Sequence, residues 1–348
     1  MTQDTQSLIT EVLEPKDVWY SKDKLLSYNS LFYFALGARG TGKTFAFKKW
    51  AITKDSQTVW VRRYQEDIDD LQNKFLTDLF AEGVLDPEQA DLYKIEDEIL
   101  YVDGIPKIFF IPLSVSGRKK SQSYHGVNEI IFDEAFEGVG RRRYLKDEVW
   151  MFFELYETIN RLRVLDNRPE VRAIFISNKT SWVNPYFAEL GVTPFTERFK
   201  TFKNGLVVVE NYTNTAFETL KKQTPFGRLI DGTTYGGYAI DNKVWLDDNA
   251  CLAKRPDDAR EKVDLNYNGN YIGIWIKDGI AYCSKANNHL KTMTFCIRYQ
   301  GADNEKPLVR NQYPLKDLIE LYNTNRLRFE DNNIKQMVFS LMQSGGVQ

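Results

Sequence analysis

The string Gly37-Ala38-Arg39-Gly40-Thr41-Gly42-Lys43-Thr44 constrains this chain more than any other feature, because it satisfies G-x-x-x-x-G-K-[ST] in full. Its glycines let the backbone turn so that successive N–H groups point at phosphate oxygens. An apolar run, Leu31 to Leu36, precedes it, and a helix-like stretch begins near Lys43 and adds a positive N-terminal end. All eight residues are therefore expected to line a nucleotide, with Lys43 on the β- and γ-phosphates and the Thr44 hydroxyl on Mg²⁺. The expected cofactors are ATP and Mg²⁺. An ordinary glycine-rich turn is the bland alternative, and the strand–loop–helix context argues against it.

Downstream, Ile130-Ile131-Phe132-Asp133-Glu134 reads as an apolar strand ending in two carboxylates. Asp133 suits the holding of Mg²⁺. Glu134, one residue beyond, suits polarisation of the attacking water. Alone the pair is a weak signal, since two solvated loop carboxylates look the same; behind an upstream phosphate loop it is a strong one. At least one further strand, around Val59, lies between the two motifs. That ordering and Glu134 point to ATPases with an additional central strand and a catalytic glutamate. Strand Ala173 to Ile176 ends in Ser177-Asn178, and Asn178 can sense the γ-phosphate, although an Asx turn is an equal reading. Arg161 and Arg163 follow an amphipathic helix (about Asp147 to Leu162) and are candidates for an arginine finger; a solvated helix end is the alternative.

Composition narrows the class. The 348 residues are 43% apolar and 14% aromatic, enough for two domains with cores. A net charge of −2 gives no global positive field, so nucleic-acid contacts must come from local clusters such as Arg118-Lys119-Lys120 and Arg141-Arg142-Arg143. Three scattered cysteines and two histidines argue against disulfides and zinc. No apolar run is long enough to span a bilayer and no signal pattern opens the chain, so a soluble intracellular protein with no membrane partner is expected. The turn pairs Asp103-Gly104, Asn268-Gly269 and Asp278-Gly279 predict hairpins. Asp231-Gly232 and Gly236-Gly237 read as turns between further β segments. The expected organisation is an α/β domain over residues 1–207, a linker over 208–226 and a smaller α+β domain over 227–348.

As a set, GARGTGKT, VRRY (Val61 to Tyr64), IPLSV (Ile111 to Val115), IIFDEAF (Ile130 to Phe136), ISN (Ile176 to Asn178), VNPYF (Val183 to Phe187) and FGRLIDGTTYG (Phe226 to Gly236) resemble the DNA-packaging ATPases of phi29-type short-tailed phages. The resemblance runs in order over most of the chain. It implies a P-loop NTPase domain of the additional-strand, catalytic-glutamate class, followed by an RNase H-like domain with a vestigial nuclease. It implies Lys43 and Thr44 on nucleotide, Asp133 and Glu134 in catalysis, Arg161 as a finger in trans, and Lys120 in a lid near the neighbour's nucleotide. It further implies a homo-oligomeric, pentameric ring acting on double-stranded DNA in the host cytoplasm, docked transiently on the portal of a procapsid, with a structural RNA in some members. Two other functions stay open at this point. One is a large terminase that also cuts DNA, for which Asp231, Asp241 and Asp264 would be the carboxylates. The other is a nucleotide- and nucleic-acid-binding scaffold without turnover.

Overall fold

The computed structural model describes residues 19–119, 124–136, 144–145, 147–161, 163–179, 182, 184–240, 251–287, 291–297, 303–309 and 312–344. In chain order the elements begin with α1 (Asp23–Leu26), β1 (Phe32–Gly37), α2 (Lys43–Thr53), β2 (Gln57–Arg62) and α3 (Gln65–Ala81). Strands β3 (Tyr93–Glu96), β4 (Ile99–Val102), β5 (Ile105–Pro112) and β6 (Val127–Asp133) follow, then α4 (Glu148–Asn160), β7 (Arg172–Asn178) and α5 (Pro185–Leu190). Next come β8 (Phe199–Phe202), β9 (Val207–Tyr212) and three helices, α6 (Thr215–Gln223), α7 (Pro225–Ile230) and α8 (Thr234–Ala239). The chain continues with β10 (Arg260–Tyr267), β11 (Asn270–Lys277), β12 (Ile280–Lys285), β13 (Thr294–Cys296), β14 (Glu305–Pro307), α9 (Leu315–Asn323), β15 (Leu327–Phe329) and α10 (Asn332–Ser344). They fall into two compact units, one of Met1–Gly140, Glu148–Thr180 and Phe195–Val244, the other of Arg141–Asp147, Ser181–Pro194 and Trp245–Gln348.

The first unit is built on a nine-stranded sheet in the order β3-β4-β5-β2-β6-β7-β1-β9-β8. Strands β5, β2, β6, β7, β1 and β9 run parallel, and antiparallel strands close both edges. Parallel strands are covered on both faces, which is why β1 and β6 read as near-continuous apolar runs rather than alternating ones. On one face Trp60, Ile131 and Ile174 pack with Phe47 of α2 and Phe75 of α3. On the other, Phe132 and Phe175 meet Phe152 of α4, and Phe34 stacks on Phe175 at 4.4 Å. The strand lying between β1 and β6 is β7, while the strand at Val59 (β2) lies on the far side of β6.

Two expectations are corrected here. Residues 208–226 are not a linker, since β9 pairs with β1 along its whole length and is buried throughout. The stretch after Phe226 is helical, not β. Thr224 and Thr233 accept hydrogen bonds from the amides of Gly227 and Gly236 and cap α7 and α8. Gly227 and Gly236 answer close packing, for a Cβ there would lie 1.8 Å from the Lys221 carbonyl oxygen and 2.0 Å from that of Ile230. These helices belong to the first unit, so the boundary expected at 227 falls later in the chain.

The second unit carries a six-stranded sheet, β14-β13-β10-β11-β12-β15. Its central trio β10–β11–β12 is antiparallel, joined by Asn268-Gly269 and Asp278-Gly279 with positive φ at all four residues, as two-residue hairpins require. The outer strands β13, β14 and β15 add in parallel. Val263, Leu265, Ile274 and Phe329 face Leu318 of α9 and Val338 of α10. On the opposite face Asp264, Gly273 and Ser284 lie side by side across three strands. Both Asp264 carboxylate oxygens, Ser284 Oγ and Trp275 Nε1 are buried without a hydrogen-bond partner. Burial, reinforced by the nearby Glu261 carboxylate, pushes the Asp264 carboxyl up to about 7.

A carboxyl raised in the folded state costs stability increasingly as pH climbs from its unfolded value, and the full cost is present above pH 7. Asp264→Asn is therefore expected to stabilise this unit relative to wild type at pH 8, by at most about 4 kcal/mol. The difference should shrink as pH falls toward 4. Urea denaturation of both proteins across that range checks it.

Candidate nucleotide site

Every group of the site hangs on the C-terminal ends of neighbouring parallel strands, the position where open α/β sheets bind ligands. Strand β1 ends in Gly37, which pairs in register with Asn178 at the end of β7. Strand β6 ends in Asp133 and β2 in Arg62. The loop leaving β1 passes through left-handed Gly40 and Gly42, each with φ +84°, before α2 starts at Lys43. A Cβ at either position would be strained, which accounts for glycine at both.

Lys43 is buried, and its Nζ donates to the carbonyls of Gly37 (3.1 Å) and Ala38 (2.7 Å) and to Thr41 Oγ1 (3.3 Å). Burial lowers its ammonium to about 7, against the opposing pull of the Asp133 and Glu210 carboxylates. Thr44 Oγ1 donates to Asp133 Oδ1 at 2.9 Å. A hydroxyl and a carboxylate that face each other in this way are hard oxygen donors and fit Mg²⁺.

Arg62 joins the two carboxylates. Its Nη2 donates to Asp133 Oδ2 at 2.6 Å and its Nη1 meets Glu134 Oε2 at 2.8 Å. Those two carboxylates hold the Arg62 guanidinium above its ordinary range despite the opposing effect of burial, which is the largest single influence. Glu134 takes φ +54°, and its amide donates back to Asp133 Oδ1 at 3.1 Å. Its side chain is 65% exposed, in contrast to the buried Asp133. One carboxylate is thus fixed in the protein and the other faces solvent.

Arg63, pointing to the opposite face, makes a buried pair with Glu148 of α4 (2.6 and 2.9 Å) and donates to the Ala135 carbonyl (2.8 Å). This clamp holds the turn after β6. Glu210 of β9 is fully buried and accepts from Tyr20 (2.8 Å) and from Arg198 (2.9 and 3.1 Å). Desolvation raises its carboxyl despite these donors. Sequence reasoning gave Arg62, Arg63 and Glu210 no role. Two arginines closing a buried strand were the available signal, since adjacent residues on a strand face opposite sides.

The structure brings Lys43, Thr44, Asp133, Glu134 and Asn178 to one edge of the sheet, and Arg161 to another. Arg161 is exposed at the end of α4, lining a pocket with Tyr124, His125, Thr158, Asp166 and Arg168. That pocket borders the start of β6, and Asp133 is at its end. Arg163 is no candidate finger, being buried and bonded to the carbonyls of Val127 and Pro169 and to Asn128 Oδ1. Lys120, the Arg141-Arg142-Arg143 run and Asp241 lie outside the described residues, as do the side chains of Arg118 and Lys119.

A large, mostly parallel sheet with a glycine loop, a lysine and a carboxylate at its C-terminal edge makes the first unit a mixed α/β fold. The family model for the podovirus DNA encapsidation protein (Gp16) matches residues 14–347, and the chain belongs to that family. It is 30% identical over 343 residues to the DNA packaging protein of Bacillus phage phi29, covering 96% of this chain and 99% of that one. Among solved structures it is similar to the viral genome packaging motor assembly of bacteriophage Phi-29 (TM-score 0.66, 29% identity, 94% of this chain and 99% of that one). It also shares the fold of the Phi-28 gp11 DNA packaging motor (TM-score 0.68, 21% identity, 95% and 100%).

Removing one partner of the Arg63–Glu148 pair strands a buried charge. Glu148→Ala is expected to cost about 3–5 kcal/mol, read as a shift in the denaturation midpoint.

Proposed function

We propose that this chain is an ATP-driven translocase that moves double-stranded DNA into a preformed viral capsid. The observation that carries this is the chain of contacts Thr44–Asp133–Arg62–Glu134 beneath the Gly37–Thr44 loop. It combines a hydroxyl and a carboxylate suited to Mg²⁺ with a solvent-facing carboxylate suited to activating water. The position of β7 between β1 and β6 supports the additional-strand class of P-loop ATPases. The names of the phage relatives, a DNA packaging protein and a viral genome packaging motor assembly, support genomic DNA as the substrate, and the setting proposed with it is a portal vertex in the infected cell. Mg²⁺ would rest on Thr44, Asp133 and the phosphates, since these two oxygen donors already face each other at 2.9 Å.

Arg161 is best read as acting in trans within a homo-oligomeric, pentameric ring. The seven residues of β6 separate its pocket from Asp133 by about 20 Å at strand rise, beyond the reach of an arginine side chain in its own subunit. Lys120 would complete the neighbour's site from the lid, and Asn178, level with Gly37, would sense the γ-phosphate. A structural RNA on the portal would serve as a further docking partner.

A large terminase with an active nuclease is the second reading. The order β14-β13-β10-β11-β12, with an antiparallel trio extended by parallel strands, supports reading this sheet as RNase H-like. Among the described residues Asp264, on β10, has Glu261 as its neighbouring carboxylate and belongs to no cluster of three ligating groups, too few for the two metals that such cleavage uses. Asp231 belongs to the first unit. A vestigial nuclease accounts for this arrangement.

The test is DNA-stimulated ATP hydrolysis. Lys43→Ala should abolish turnover at unchanged circular dichroism, and Glu134→Gln should bind ATP and retain it uncleaved. Arg161→Ala should lose roughly 10³–10⁵ in rate. Equimolar mixing of Arg161→Ala with Glu134→Gln should restore part of the activity, because a Glu134→Gln neighbour still lends its arginine. Affinity equal to wild type combined with full turnover in Glu134→Gln would defeat the proposal.

Proton linkage offers a check on Lys43. Phosphates raise an ammonium that burial has lowered to about 7. ATP binding should therefore take up as much as one proton near pH 8, and affinity should fall as pH rises through 7–9. Calorimetry in buffers of different ionisation enthalpy measures the uptake, which Lys43→Arg should remove.

A further inference from the structure

Two aromatic rings flank the mouth of the Gly37–Thr44 loop. Trp19 is 55% exposed. Its six-membered ring lies on left-handed Gly42, where a Cβ would come 3.1 Å from Trp19 Cε3. The next residue ties this segment to the loop, because the Tyr20 amide donates to the Thr41 carbonyl at 3.0 Å. On the other side, Phe217 of α6 comes within 3.5 Å of the Cβ position of Gly40. Lys221, one turn later, donates to the Arg39 carbonyl at 3.3 Å and stands 5.5 Å over the Phe217 ring. The Trp19 and Phe217 centroids are 6.4 Å apart with planes at 50°, too close and too tilted for a base to slot between them. One open indole face is left beside the loop.

We propose that Trp19 is the stacking platform for the nucleobase of the bound nucleoside triphosphate, with Phe217 as the wall that limits where the base can lie. This rests on Gly37–Thr44 being the phosphate-binding loop. A base hangs one sugar away from the first phosphate, so a platform attached to the loop's own backbone moves with the phosphates. Stacking uses a π face rather than the base's edge, so Trp19 favours a nucleotide over bare phosphate without selecting among bases. Tyr20 is occupied by Glu210 and packs edge-on against Tyr212 at 4.9 Å, which leaves the indole as the exposed ring of this segment.

The experiment titrates the full chain with Mg-ATP and with Mg-tripolyphosphate, in wild type and in Trp19→Ala, Trp19→Phe and Lys43→Ala. Trp19→Ala is expected to weaken ATP binding by about tenfold or more, the scale of one stacked base, and to leave tripolyphosphate binding unchanged. Trp19→Phe should recover most of the loss, and Lys43→Ala should weaken both ligands. Equal losses of ATP and tripolyphosphate in Trp19→Ala would make the indole a support for the loop and overturn the proposal. Unchanged or tighter ATP binding would overturn it as well, the tighter case making Trp19 a cover over the site. Should wild type bind tripolyphosphate with no dependence on Lys43, the phosphate loop itself fails, and the platform with it.

Discussion

The Asp133 carboxylate organises the first unit's functional edge. It sits buried at the end of a central strand, where an ionised group is stable only with full compensation. The compensation comes from three directions: the Thr44 hydroxyl on α2, the Arg62 guanidinium on β2 and the Glu134 amide just beyond. Each donor belongs to a different piece of chain, so meeting the needs of one carboxylate fixes the helix after the loop, the neighbouring strand and the turn that carries Glu134. Arg62 extends the same charge balance to Glu134, and Arg63 anchors the turn from behind through Glu148.

Much of this edge was legible because its signals are local. The loop's glycines and the carboxylate pair after Phe132, like the Asn-Gly and Asp-Gly hairpins of the second unit, each rest on backbone geometry that few residues satisfy. What stayed hidden depended on distant partners. Strand β9 carries Glu210 and Asn211, polar residues that look like the start of a linker until Tyr20 and Arg198 are seen to meet the first of them. Gly236 looked like a turn residue, and its reason is the Ile230 carbonyl of the preceding helix. Arg163 read, like Arg161, as a finger or a solvated helix end, and its burial is explained by bonds to Asn128 at the start of β6 and to the Pro169 carbonyl.

Buried carboxylates are met differently in the two units, although both units also hold other buried polar atoms with no hydrogen-bond partner, among them Thr58 Oγ1 and Trp60 Nε1 of the first. In the first, Asp133, Glu148 and Glu210 are each met by a cation or several donors. In the second, Asp264, Ser284 and Trp275 share one face of the sheet with orphaned polar atoms. Natural interiors rarely leave such groups unpartnered.

The ammonium of Lys43 is bonded to acceptors from its own loop, the carbonyls of Gly37 and Ala38 and the hydroxyl of Thr41. The end of β1 at Gly37 and the start of α2 at Lys43 are thereby tied to one another through a single side chain, a noncovalent ring closed within one short turn. The curvature of that turn is set by the protein's own acceptors.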